Sequence, residues 1–113
     1  MMKIYHNPRC RKSREALAIL EDKGIKPEIV LYLQEPPTRA ELQAVLKKLD
    51  MLPSQLVRTE EPLFKDTYKG KELSETEWLD VLLEYPKLMQ RPIVVKGDKA
   101  VLGRPPEQVL ELL

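Results

Sequence analysis

The opening third of the chain switches from a strand pattern to a helical one and back, and that switch constrains the fold more than any other feature. Lys3-Ile4-Tyr5-His6 is short and β-prone, and Asn7-Pro8 closes it as a turn. From Arg11 to Lys23 the pattern is helical: Ala16, Leu17 and Leu20 share one stripe, while Glu15, Glu21 and Asp22 fall on polar positions. Gly24 supplies a stop, with Lys23 in the last turn. After Pro27, the run Glu28-Ile29-Val30-Leu31-Tyr32-Leu33 reads as a nearly continuous apolar strand of the kind buried on both faces. Strand, helix and strand in this order make a βαβ unit, whose crossover is right-handed.

Pro36-Pro37 then breaks the chain. Thr38 with Glu41 forms a capping box for a helix carrying Leu42, Val45, Leu46 and Leu49 on one face. Pro53 opens a short helix through Ser54-Gln55-Leu56-Val57, and Thr59 to Lys71 reads as an irregular or partly helical connection. Ser74 and Glu77 form a second capping box before Trp78, Leu79, Val81, Leu82 and Leu83, and that helix stops near Tyr85-Pro86. Arg91-Pro92-Ile93-Val94-Val95 is a strand opened by a proline. Gly97-Asp98 turns tightly into Ala100-Val101-Leu102, and Pro105-Pro106 starts a final helix bearing Val109, Leu110, Leu112 and Leu113. The expected order is therefore β-α-β, a helical middle, a β-hairpin and a closing helix. This is an α/β fold with a four-stranded mixed sheet, flanking helices and a helical insertion. With 113 residues and no repeat or linker, residues 1–113 are expected to form one domain.

Composition removes several classes of function. Nineteen Lys and Arg against eighteen Asp and Glu leave a net charge of +1, too even for a dedicated nucleic-acid binder. One Cys and one His exclude a disulfide scaffold and leave too few soft ligands for a metal site. The longest uninterrupted apolar run, Ile29 to Leu33, is far short of a membrane span. The start Met1-Met2-Lys3-Ile4-Tyr5-His6 lacks the apolar stretch of a secretion signal, and a lone thiol fits a reducing cytoplasm.

Charge is even in sum and uneven in place. Lys3, Arg9, Arg11, Lys12 and Arg14 stand in the first fourteen residues with no acid among them, and the only thiol, Cys10, sits inside that group. Nearby cations stabilise a thiolate, which is the reactive form; the alternative is an inert Cys beside a solvated basic face. Cys10 lies where the first strand hands over to the first helix, a crevice where α/β folds bind ligands. There the amides of Arg11, Lys12 and Ser13 are unpaired helix-start donors that favour an anion. One geometry thus gives an easily ionised nucleophile and an oxyanion cradle. Cys10-Arg11-Lys12-Ser13 has the spacing of a redox C-x-x-C motif with Ser in the second position. No second thiol exists, so electrons for any turnover come from outside. His6 either tunes the thiol as a base or charge, or is an ordinary strand residue satisfied locally.

Tyr5-His6-Asn7-Pro8-Arg9-Cys10-Arg11-Lys12-Ser13-Arg14 resembles the active-site loop of the arsenate reductase family coupled to glutathione and glutaredoxin, which has a thioredoxin-like fold. Leu31-Tyr32-Leu33 with Pro36-Pro37, Leu56-Val57-Arg58, Arg91-Pro92-Ile93-Val94-Val95 and Gly103-Arg104-Pro105 match in the family's order across nearly the whole chain. The resemblance implies a nucleophile at Cys10 that attacks arsenate, substrate arginines at Arg58, Arg91 and Arg104, an assisting histidine at His6 and a cis-proline at Pro92. It also implies glutathione as external reductant, glutaredoxin as partner and no bound cofactor. Arg9, Arg11 and Lys12 make this loop more basic than in well-studied members. Two other readings share the fold. One is a monothiol oxidoreductase acting on glutathione mixed disulfides. The other is a stress regulator that binds RNA polymerase, although such regulators resemble a Cys-x-x-Cys switch and Ser13 removes its second sulfur.

Overall fold

The computed structural model describes residues 2–113; Met1, part of the amino-terminal stretch read above, lies outside them. Strand β1 (Met2–Tyr5) is followed by helix α1 (Arg11–Asp22) and strand β2 (Glu28–Val30). Helices α2 (Arg39–Leu49) and α3 (Glu75–Glu84) form the middle, and strands β3 (Ile93–Lys96) and β4 (Lys99–Leu102) form the hairpin. The sheet order is β2-β1-β3-β4. β1 runs parallel to β2, with Ile4 beside Ile29, and antiparallel to β3, with Ile4 beside Val94. Gly97, at φ 61°, makes the hairpin turn in a backbone region that glycine enters without strain. This β-α-β then β-β order with a closing helical turn is the thioredoxin-like arrangement.

Alternation along the strands divides the core in two. Met2, Ile4 and Val94 face Ala16 and Leu20 of α1 together with Val109 and Leu112. Tyr5, Ile93 and Val95 face the other way, towards Leu42, Val45 and Leu46 of α2 and Trp78, Leu79 and Leu82 of α3. Both capping boxes form: the Glu41 amide donates to Thr38 Oγ1 at 3.2 Å and the Glu77 amide to Ser74 Oγ at 3.1 Å. Each carboxylate returns to its cap amide at 2.9 Å. No described helix is long and apolar enough to cross a membrane.

The structure corrects the reading of the second strand and gives the expected closing helix its type. β2 has three residues and lies at the sheet edge, so Ile29 is 47% exposed rather than buried between two faces. The amides of Gln34 and Glu35 both donate to the Leu31 carbonyl, bending the apolar run into a turn ahead of the two prolines. That bend leaves Leu33 half-exposed and swings Tyr32 into full burial. The closing segment Pro106–Leu112 is a 3₁₀ helix. Its three-residue period buries Pro106, Val109 and Leu112 together and leaves Leu110 and Leu113 outside. The Pro53–Leu56 turn is also 3₁₀, and the Thr59–Lys71 connection contains a wide π turn at Phe64–Tyr68.

Candidate active site

Cys10 caps α1 in an extended conformation, and its amide donates to the Asn7 carbonyl at 3.0 Å, closing the Asn7-Pro8-Arg9 turn. The Asn7 side chain accepts from the Arg9 amide, and Arg14 reaches back to the Pro8 carbonyl, each at 3.0 Å. The loop is therefore fixed by its own polar groups, with a buried free thiol at its centre. Burial pushes that thiol up, but the Ser13 and Lys12 amides and the Arg91 guanidinium together hold it below the usual cysteine range. The two amides face the sulfur at the open end of the helix without completing a cap hydrogen bond.

Arg58 and Arg91 come from segments fastened side by side. The Arg58 amide donates to the Leu88 carbonyl at 2.7 Å, the Gln90 amide to the Leu56 carbonyl at 2.8 Å, and Val57 bridges to Met89. The peptide bonds Arg91–Pro92 and Arg104–Pro105 are both cis. The Gly103 amide donates to the Pro92 carbonyl at 2.9 Å, and Arg104 Nη1 approaches the Arg91 carbonyl at 3.4 Å. A side chain has no room at Gly103, since a Cβ there would stand 2.7 Å from the Pro92 ring. Burial and the neighbouring Arg91 charge lower Arg58 from the ordinary arginine value, against the opposing pull of Glu61 and Glu60. Arg58 Nε, Arg91 Nε and Arg91 Nη1 are buried and have no hydrogen-bond partner among the described residues. Buried donors normally have partners, so this group is set up for an acceptor from outside the chain.

The remaining expected site residues divide between the site and the surface. His6 is buried and its Nδ1 lies 2.6 Å from Ser13 Oγ, which also accepts from the Asn7 amide at 3.0 Å. Burial and the Arg14 charge lower the imidazole from its usual value, which keeps the ring neutral at pH 7. The Ser13 hydroxyl is thus used within the loop, and Ser13 faces the sulfur with its amide, as Lys12 does. Arg11 points outward and pairs with Glu15 at 2.8 Å, and Arg9 and Lys12 are exposed. The side chains of Arg11 and Lys12 therefore stay on the surface, and the first turn offers a ligand its amides.

Three further residues belong to this neighbourhood and were not expected from the sequence. Tyr32 is buried; burial raises its phenol, Arg91 and Arg58 oppose that shift, and Cys10 adds to it. Its signal was a phenol inside a run otherwise apolar. Glu61 pairs with Arg58 at 3.1 Å, and Glu60 lies 4.0 Å from Arg104. Only the i,i+3 spacing of Arg58 and Glu61 hinted at the first pair.

A thioredoxin-like sheet with one cysteine heading its first helix, and arginines brought in from later segments, defines a single-cysteine class of that fold. The family model described as the ArsC family matches residues 5–112, and the chain belongs to the ArsC family. It is 50% identical to the arsenate reductase of Haemophilus influenzae, over 97% of both chains. It is 49% identical to the Escherichia coli K12 protein YfgD, over 99% of this chain and 96% of that one. Among solved structures, it matches the arsenate reductase from Vibrio cholerae with a TM-score of 0.94 at 44% identity, covering 99% of this chain and 97% of that one.

Proposed function

We propose that this chain reduces arsenate to arsenite with Cys10 as the nucleophile and an external thiol as the source of electrons. The observation that carries the reading is a thiol beside the Arg91 guanidinium, whose Nε and Nη1, like Nε of the neighbouring Arg58, are buried with no partner among the described residues. Guanidinium N–H groups match a tetrahedral oxyanion, so Arg58, Arg91 and Arg104, with the Lys12 and Ser13 amides, bind and orient arsenate. The Cys10 thiolate attacks arsenic, an S–As bond forms and an As–O bond breaks, the oxygen leaving as water with the protons arsenate carries. Glutathione then attacks this adduct. Arsenic takes up two electrons and departs as arsenite, while the two sulfurs join as a Cys10–glutathione disulfide. With no second cysteine, that disulfide is opened by another thiol, a step suited to glutaredoxin and to a reducing cytoplasm. His6 assists through Ser13, by anchoring the first turn of α1 whose amide faces the sulfur.

Purified protein supplied with arsenate, glutathione and glutaredoxin should form arsenite. Cys10→Ser should abolish the product, and Arg91→Ala should lower kcat/KM far more than Lys96→Ala. Turnover of a small glutathione disulfide with no arsenite from a folded protein would replace this reading with that of a monothiol oxidoreductase.

A further inference from the structure

Two carboxylates stand beside the arginines, and the chemistry above uses neither. The Glu61 amide donates to the Arg58 carbonyl at 3.3 Å, closing a turn that brings Glu61 Oε2 within 3.1 Å of Arg58 Nη1. Their side chains are only 18% and 19% exposed, so water screens the pair far less than an ion pair on the surface. Glu60 is more open, 56% exposed and 4.0 Å from Arg104 Nη2. Two of the three guanidiniums therefore have a carboxylate at a terminal nitrogen, while Arg58 Nε and the two Arg91 nitrogens have no partner among the described residues. Among these five side chains the balance is one positive charge, and it falls to none once Cys10 ionises.

That balance decides which form of a tetrahedral oxyanion fits. A dianion beside the thiolate would leave the group two charges negative, and a monoanion leaves it one. Near neutral pH arsenate exists as both. We infer that Glu61, seconded by Glu60, sets the charge state of the oxyanion this pocket accepts, favouring the singly charged dihydrogen form. The inference rests on the oxyanion reading of the pocket. It also simplifies the first chemical step. A thiolate and a dihydrogen arsenate give the S–As adduct and water, with atoms and charge in balance and no further proton required. From the dianion the same attack expels hydroxide, a much poorer leaving group. The carboxylates thus select the substrate form that carries its own protons to the departing oxygen.

Sulfate and perchlorate separate charge from shape, since both are tetrahedral and differ by one negative charge. The test is their protection of Cys10 from iodoacetamide in the wild type, Glu61→Gln and Glu60→Gln, with thermal unfolding as a check on the fold. Removing a negative charge should help the dianion more than the monoanion. In Glu61→Gln the half-protecting sulfate concentration should fall at least about threefold further than that of perchlorate, and by less in Glu60→Gln. The decline of arsenate kcat/KM as the dianion replaces the monoanion should also become shallower in Glu61→Gln. Equal changes for the two anions would overturn the inference. So would weaker protection in a folded Glu61→Gln, which would make Glu61 a positioning residue for Arg58. If sulfate, perchlorate and arsenate all fail to protect the wild-type thiol, the oxyanion pocket itself is overturned, and the proposed function with it.

Discussion

At the scale of single residues, the thiol is governed by opposing effects of which one set wins. Desolvation resists its ionisation, while two amides and the Arg91 charge promote it, and the promoters prevail. The alkylation rate of Cys10 should therefore reach its plateau with a midpoint below the ordinary thiol value of about 8.5. Arg91→Ala should move that midpoint up, because burial remains and the guanidinium is gone. The folded state favours the anion, so its contribution to stability is present above the unfolded thiol's pKa and is lost as pH falls through the folded one. Much of this was legible in the sequence, since a lone Cys among Arg9, Arg11, Lys12 and Arg14 at a strand–helix junction already suggests a thiolate. What spacing could not reveal is direction. Arg11 and Lys12 adjoin Cys10 in the chain yet turn outward, whereas Arg91, remote in sequence, supplies the charge at the sulfur.

Among elements, local signals were read well where they are complete within a few residues. Both capping boxes and the glycine at the hairpin are of that kind. Signals that depend on neighbours were not: an apolar run does not say whether a second strand will flank it, and Ile29 at the sheet edge has β1 on one side alone. The closing helix was legible as a helix, but its type was not, for a related reason. Val109, Leu110, Leu112 and Leu113 suit an α or a 3₁₀ period about equally, and only packing of Pro106, Val109 and Leu112 chooses between them. Gly103 is another residue whose reason lies in packing, since a Cβ there would meet the Pro92 ring at 2.7 Å and the Ala16 methyl at 3.2 Å. The proline ring has little freedom to withdraw. Gly103→Ala should destabilise the fold by about 1–3 kcal/mol in urea unfolding, as overpacking does. It should also lower kcat/KM, since the displaced ring adjoins Arg91.

Across the whole molecule, the sheet separates two cores, and the site draws on segments packed to both. Cys10 is carried by α1 over the core of Ala16, Leu20, Val109 and Leu112, while Arg58 and Arg91 flank the Leu56–Val57 and Leu88–Met89 stretches of the other. Val109 is fully buried in the smaller core, so Val109→Ala should cost about 1–3 kcal/mol, read as a lower midpoint of one cooperative unfolding transition. The paired stretches around Val57 and Met89 have a wider consequence. They close the segment between them, which carries α3 but not α2, into a loop with the two arginines at its neck. Beyond the neck, Trp78, Leu79 and Leu82 pack into the larger core alongside Tyr5 and Tyr32, so α3 braces the site from behind as well as through the collar. Changes in the loop away from Glu60 and Glu61 that keep the collar paired should therefore leave both arginines where they stand, as a strap can be refitted without moving its buckle.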